Sequence, residues 1–340
     1  MRIIVDAMGG DHSSGEMVAG AAMAADALDV EIILTGPGQE LAREMAVHGK
    51  SGRVEVVDAP EVIEPGDPPV YAVRRKGNSS LIKGLALLKE GRGDALVSAG
   101  NTGALMAGSL LLIGKARGIS RPALGAMLPT RKGGGTLLLD VGANMDARPD
   151  QLYQYAVLGS VYLEEVAGVI KPRVGILNVG TEEGKGNEVV KNAYSLLRNS
   201  RLNFVGNVEA RDLLLGRADV LVCDGFVGNV ALKMTEGLGR IFLGLVKEEL
   251  SAGIITRFGS LFLRRAFGQL RRRLDYSEYG GTPLLGINGA VIKCHGSSNR
   301  EAIFNGIKVA KTCADHRFWE RLIFDGSLGE EESLGELRGV

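Results

Sequence analysis

Residues 95–114, ALVSAGNTGALMAGSLLLIG, decide how the rest of the chain is read. From Ala95 to Gly114 there is no charged residue, over about the length a membrane span needs. Ser98, Gly100, Asn101, Thr102 and Gly103 interrupt the run near its start. A strand, a glycine turn and a buried helix account for that order better than a spanning helix does. The unit is then strand Ala95–Ser98, a turn, and helix Thr102–Ile113.

The same unit recurs on both sides. Apolar, β-branched runs mark candidate strands at Ile3–Asp6, Val30–Thr35, Val54–Asp58, Leu124–Met127, Leu137–Val141, Val174–Val179, Phe204–Val205, Val220–Asp224 and Ala290–Lys293. Candidate helices alternate with them at Gly15–Leu28, Gln39–His48, Ser79–Glu90, Pro149–Ala167, Glu188–Asn199, Asn229–Leu250 and Asn299–Asp315. Continuous apolar strands suit burial on both faces, and alternation with helices points to an α/β fold with a large, largely parallel sheet flanked by helices. There is no repeat and no long linker, so residues 1–340 read as a single α/β domain. Residues 59–77, with Pro60, Pro65, Pro68 and Pro69, are the loosest stretch and read as a flap.

Composition narrows the class. Lys+Arg and Asp+Glu are both 40, so bulk charge does not favour nucleic acid. Three cysteines, Cys223, Cys294 and Cys313, cannot all pair with one another. With no secretory signal at the start, a reduced, cytoplasmic protein is expected. Four histidines without clustered Cys/His spacing argue against structural zinc. Neither G-x-S-x-G nor a complete G-x-G-x-x-G follows a strand.

Glycine is over-represented, at 49 residues, and gathers where strands end. In parallel sheets ligands bind at those ends. Six such junctions carry candidate chemistry. At the first, Asp6, Gly9, Gly10 and Asp11 offer close backbone approach flanked by carboxylates, or a tight turn. At the second, Ser98, Gly100, Asn101 and Thr102 open a helix whose unpaired N–H groups suit an anion, though Asn101 or Thr102 also suits a plain cap. At the third, Asp140 and Asn144 orient a ligand or satisfy a turn. The fourth, Val179–Glu188, resembles a P-loop with the glycine spacing one residue short, and Gly186 follows Lys185 in place of Ser or Thr. Lys185 there holds phosphate, polarises a carbonyl, or is simply solvated. At the fifth, Asn229 offers an amide at a helix start or serves as its N-cap. At the sixth, His295, Gly296, Ser297 and Ser298 offer an imidazole and hydroxyls to an anion. Cys294 reads as a small buried thiol before it reads as an acyl-enzyme nucleophile.

Together these segments resemble the bacterial acyl-carrier-protein:phosphate acyltransferases, the PlsX family. The motifs are IVDAMGGDH at the start, RRKGNSSL at Arg74–Leu81, VSAGNTGA, LLLDVGAN, LNVGTEEGKGNE, CDGFVGNVALK and KCHGSSN. Each is weak alone; their order over nearly the whole chain is specific. The family's first motif usually continues with a small residue and proline, where this chain has His12-Ser13-Ser14. The resemblance implies transfer of a long-chain fatty acyl group from an acyl carrier protein thioester to inorganic phosphate, giving acyl phosphate for phospholipid synthesis. It also implies a fold similar to isocitrate and isopropylmalate dehydrogenases, a homodimer, catalytic roles for Lys185 and Asn229, and no metal or other cofactor. The rivals are a phosphotransacetylase acting on acyl-coenzyme A, a metal- and NAD-dependent dehydrogenase, and a non-catalytic membrane scaffold.

Residues 251–274 stand apart. Between Glu249 and Asp275 there is no acidic residue, while arginine recurs among apolar side chains. Leu263, Phe267, Leu270 and Leu274 follow one helical face. A basic amphipathic helix suits the surface of an anionic bilayer, with Ile254, Ile255, Phe258, Leu261 and Phe262 as the expected membrane contacts. The alternative is a helix hairpin buried against a second copy. Because carrier proteins are acidic, Arg264, Arg265, Arg271, Arg272 and Arg273 are the expected docking surface. The implied location is the cytoplasm, peripherally on the inner face of the membrane, near a membrane glycerol-phosphate acyltransferase that would use the product.

Overall fold

A computed structural model describes residues 1–10, 14–48, 52–131, 133–253, 265, 267–268 and 280–322. Its strands are β1 (Arg2–Asp6), β2 (Glu31–Gly36), β3 (Val54–Asp58), β4 (Ala95–Ser98), β5 (Ala123–Pro129), β6 (Gly135–Leu139), β7 (Arg173–Asn178), β8 (Asn203–Glu209), β9 (Val220–Val222), β10 (Thr282–Leu285) and β11 (Ala290–Lys293). They join one sheet in the order β3-β2-β1-β4-β11-β10-β5-β6-β9-β7-β8. The helices are α1 (Ser14–Ala27), α2 (Gly38–His48), α3 (Pro69–Arg75), α4 (Ser80–Lys89), α5 (Thr102–Leu112), α6 (Pro149–Ala167), α7 (Glu188–Arg198), α8 (Gly225–Ser251) and α9 (Arg300–His316).

Both faces of the sheet are covered, which explains the unbroken apolar strands. On β1, Ile3 and Val5 enter one core layer and Ile4 the other. The first layer is filled from α1, α6 and α9, the second from α4 and α5. Gly20 of α1 lets that helix close on α9, since a Cβ there would lie 2.7 Å from Arg300 O and from Ile303 Cβ.

The sheet is largely parallel but changes direction in its middle. β10 runs antiparallel to both β11 and β5, and β5 antiparallel to β6. Strands β1, β2, β3, β4, β11 and β5 therefore point one way, and β6, β7, β8, β9 and β10 the other. The six glycine junctions therefore do not share one edge. Those after β1, β4 and β11 lie at one end of the sheet; those after β6, β7 and β9 lie at the other.

Two elements went unforeseen. β10 contains Pro283, which ordinarily argues against an interior strand. It is tolerated because Pro283 pairs only toward β11, and the ladder to β5 begins at Leu284. Helix α3 hides in the proline-rich stretch, with Pro69 at its first position. Residues 59–77 are also tied down: Lys76 Nζ donates to Asp67 at 2.6 Å and to Val62 O at 2.8 Å. Residues 95–114 form β4, a turn and α5, and among the described residues no helix is long and apolar enough to cross a membrane.

Candidate active site

The junctions after β1 and β4 are built as one piece. Asp6 is buried beneath them; its Oδ2 accepts from Ser98 Oγ at 2.7 Å, and Ser98 Oγ accepts from Gly100 N at 3.1 Å. Burial pushes the Asp6 carboxyl above its usual range, opposed by hydrogen bonds from Ser80 and Ser98 and by the charge of Lys293. Gly9 presses on Gly100, where a Cβ would lie 2.5 Å from Gly100 N. Asn101 caps α5, its Oδ1 accepting from Ala104 N at 3.0 Å, while its Nδ2 donates to Pro65 O at 3.0 Å. The α5 amides of Thr102 and Gly103 have no carbonyl inside their own helix, and both residues line the adjacent cavity.

The β11 junction adds the opposite lip. Lys293 Nζ donates to Ala99 O at 3.0 Å and also to Cys294 O, joining this turn to the β4 turn. His295 Nδ1 lies 2.8 Å from Ser297 Oγ. Its Nε2 lies 2.8 Å from Lys233 Nζ on α8, and that ammonium also reaches Glu236 at 2.9 Å. The Ser297 backbone amide donates to Nδ1 at 3.1 Å, so the imidazole is held from both sides.

Helix α8 reaches this lip because its start is anchored across the sheet. Asp224 is its N-cap, accepting from Val227 N at 2.8 Å. Gly225 and Gly228 let the helix sink onto the turn after β6, where a Cβ on Gly228 would lie 1.8 Å from Asp140 O. That turn is rigid: the buried Asp140 carboxylate accepts from the amides of Leu124, Gly142, Ala143 and Asn144 and from Asn144 Nδ2.

Between these parts lies a cavity of about 510 Å³. One side is polar: Gly9, Gly100, Asn101, Thr102, Gly103, Lys293, His295, Gly296 and Ser298, with Asn229, Lys233 and Glu236 from α8. The other is apolar: Leu124, Ala126, Leu128, Val141 and Leu232.

Comparisons with known proteins agree on what this chain is related to. The family model described as "Fatty acid synthesis protein" matches residues 1–321. A phosphate acyltransferase of Desulfitobacterium hafniense is 50% identical over 323 residues, 95% of this chain and 96% of its relative. One of Caldanaerobacter subterraneus is 51% identical over 312 residues, 92% and 93% of the two chains. The chain belongs to the phosphate acyltransferase family. Solved structures show the fold: a phosphotransacetylase of Streptococcus pyogenes matches with a TM-score of 0.63 at 19% identity, covering 93% and 94% of the two chains. A 4-hydroxythreonine-4-phosphate dehydrogenase of Klebsiella pneumoniae matches at 0.54 with 15% identity, covering 92% and 99%.

In this phosphate acyltransferase the structure sorts the sequence-derived candidates. Gly9, Gly100, Asn101, Thr102, Asn229, His295, Gly296 and Ser298 line one cavity. Asp6 and Ser98 lie beneath its wall, and Gly10 and Ser297 flank it without lining it. Asn144 is turned away, its Nδ2 donating to Pro122 O at 2.7 Å and to Asp140. Asn229 is not an N-cap, since α8 begins four residues earlier. Lys185 is exposed at the far end of the sheet, after β7, and does not line the cavity. Sequence reading passed over Lys233 and Lys293, which do. Lys293 ends a strand already singled out; Lys233 follows Asn229 by four residues and so shares its helical face.

The three cysteines are free and buried. Cys294 borders the cavity, but burial pushes its thiol up to about 12, far from an attacking thiolate. Among the described residues no three His, Cys, Asp or Glu side chains are grouped to hold a metal. Arg265 is exposed. Asp11, the apolar set Ile254, Ile255, Phe258, Leu261 and Phe262, and Arg264, Arg271, Arg272 and Arg273 lie outside the described residues.

Proposed function

We propose that this enzyme transfers a long-chain fatty acyl group from an acyl carrier protein thioester to inorganic phosphate. The observation that carries this reading is the two-sided cavity. Its polar lip, with helix amides, His295, Ser298 and two lysines, suits an oxyanion. Its apolar wall suits an alkyl chain. Inorganic phosphate is substantially dianionic near neutral pH, so it requires positioning more than deprotonation.

In this mechanism a phosphate oxygen attacks the thioester carbonyl carbon. The tetrahedral intermediate collapses by C–S cleavage, and the thiolate takes up the proton that the hydrogen phosphate dianion brought, leaving as carrier-protein thiol. Acyl phosphate is the other product. Asn229 Nδ2 donates to the developing oxyanion, an effect worth roughly 3–4 kcal/mol when such a donor is lost.

Lys185 serves the same charge from a second copy of the chain, because its own sheet end is remote from its own cavity. A homodimer is supported by α8, where Phe226, Val230, Met234, Leu238, Ile241 and Leu245 form a continuous exposed apolar stripe. The arginine-rich, acid-free sequence between Glu249 and Asp275 supports docking of an acidic carrier protein and peripheral association with an anionic membrane surface on the cytoplasmic face, close to a glycerol-phosphate acyltransferase that would consume the product.

The test is phosphate-dependent release of carrier-protein thiol from a long-chain acyl donor, with the coenzyme A thioester run alongside. Thiol release that does not depend on phosphate refutes acyl transfer to phosphate. A preference for the coenzyme A donor assigns the enzyme to the phosphotransacetylase reaction instead.

A further inference from the structure

The apolar wall of the cavity is a strand face with a hollow in it. Residues on β5 alternate between the two core layers. Gly125 faces Leu137, Leu139 and Leu285. Leu124, Ala126 and Leu128 face the other way, into the cavity beneath α8. Ala126 is surrounded by larger groups: Leu124 and Leu128 along its own strand and Leu138 directly across on β6. Alanine is a poor strand former, and packing alone would favour a larger side chain at such a position. Here the missing volume belongs to the cavity.

We propose that the fatty chain lies along this face of β5 and that Ala126 sets the length of chain the enzyme accepts. The proposal rests on the acyl-transfer reading above. Leu124 and Leu128 are four residues apart, about 13 Å at the rise of an extended strand. Carbon–carbon bonds of about 1.5 Å advance a zigzag chain by roughly 1.25 Å each, so this wall contacts roughly ten methylenes. Ala126 sits at its middle. Whichever end holds the carbonyl, a bulky side chain there stops the alkyl chain after roughly five bonds.

The experiment compares butanoyl and hexadecanoyl carrier protein as donors at saturating phosphate, for wild type, Ala126→Gly, Ala126→Leu and Ala126→Phe. Each methylene kept off the wall forfeits about fourfold in binding. Ala126→Phe is expected to lower kcat/KM for the hexadecanoyl donor at least about a hundredfold relative to the butanoyl donor. Ala126→Leu gives a smaller bias in the same direction and carries the test should the Phe variant fail to fold, while Ala126→Gly keeps the long-chain donor. Equal losses on both donors, or an unchanged ratio, overturn the assignment of the chain to β5. If the wild type transfers no acyl group from either donor, the function reading fails instead.

Discussion

Gly228→Ala tests whether α8 is held where the cavity requires it. A Cβ at this position would lie 1.8 Å from Asp140 O, 2.9 Å from Asp140 C and 3.0 Å from Cys223 Sγ. Relief to 3.0 Å therefore requires a movement of at least 3.0 − 1.8 = 1.2 Å. The obstacle is backbone, and that backbone is pinned by the amides converging on the Asp140 carboxylate, so the helix must yield. Asn229, Leu232, Lys233 and Glu236 ride on it into the cavity. Displacement of catalytic groups by about 1 Å costs on the order of 10²-fold. Overpacking costs roughly 1–3 kcal/mol. With an unfolding entropy of about 2.1 cal/mol/K per residue, that lowers Tm by roughly 1–4 °C for a chain of this size. The assay pairs calorimetric melting with kcat/KM for thiol release. Gly77→Ala is the control, since no atom lies within 4 Å of its added Cβ; it is expected to shift stability by less than about 1 kcal/mol. Gly228→Ala with wild-type Tm and activity within about threefold would refute the reasoning.

Lys185→Ala and Asn229→Ala are each expected to lower turnover roughly 10²-fold without changing the melt; wild-type rates in both remove them from the mechanism. Lys233→Met, which deletes a cavity-lining cation, is expected to lower kcat/KM with respect to phosphate about tenfold, and an unchanged phosphate dependence argues against any contact. Cys294→Ala is expected to retain most activity, because its thiol is buried and protonated; complete loss of turnover in a folded variant reinstates an acyl-enzyme. Glu16 clamps Arg300, accepting from its Nη2 at 2.7 Å and its backbone amide at 2.8 Å, and the side-chain bond holds the Glu16 carboxyl below its usual 4.5. That depressed carboxyl contributes stability above its unfolded pKa and loses it as pH falls through the folded one. Acid melts from pH 6 downward should therefore show wild type and Glu16→Gln converging below about pH 4, and curves that stay parallel contradict the linkage.

The order of strands and helices was legible in the sequence because each is a local property. The β-branched run of Val54–Asp58 and the small, apolar face of Thr102–Leu112 are determined by neighbours a few residues away, as are the caps Asn101, Asn187 and Asn299. The ordered glycine motifs also marked the family. Direction within the sheet was not legible. It depends on β10, a four-residue strand containing Pro283 that joins β11 to β5, partners far apart in the chain, and on the antiparallel pairing of β5 with β6 that turns the second half of the sheet around. Because β6 runs antiparallel to β5, and β9 and β7 follow β6, Lys185 falls at one end and His295 at the other, although both follow strands of similar appearance. Asn229 and Lys233 arrive at the cavity along a helix, at a spacing of four residues, instead of through a turn. Sequence determined which residues were equipped for chemistry, since that follows from side-chain type and local backbone. Only the tertiary structure decided which of them meet, since that follows from strand direction and from the depth to which Gly225 and Gly228 let α8 sink.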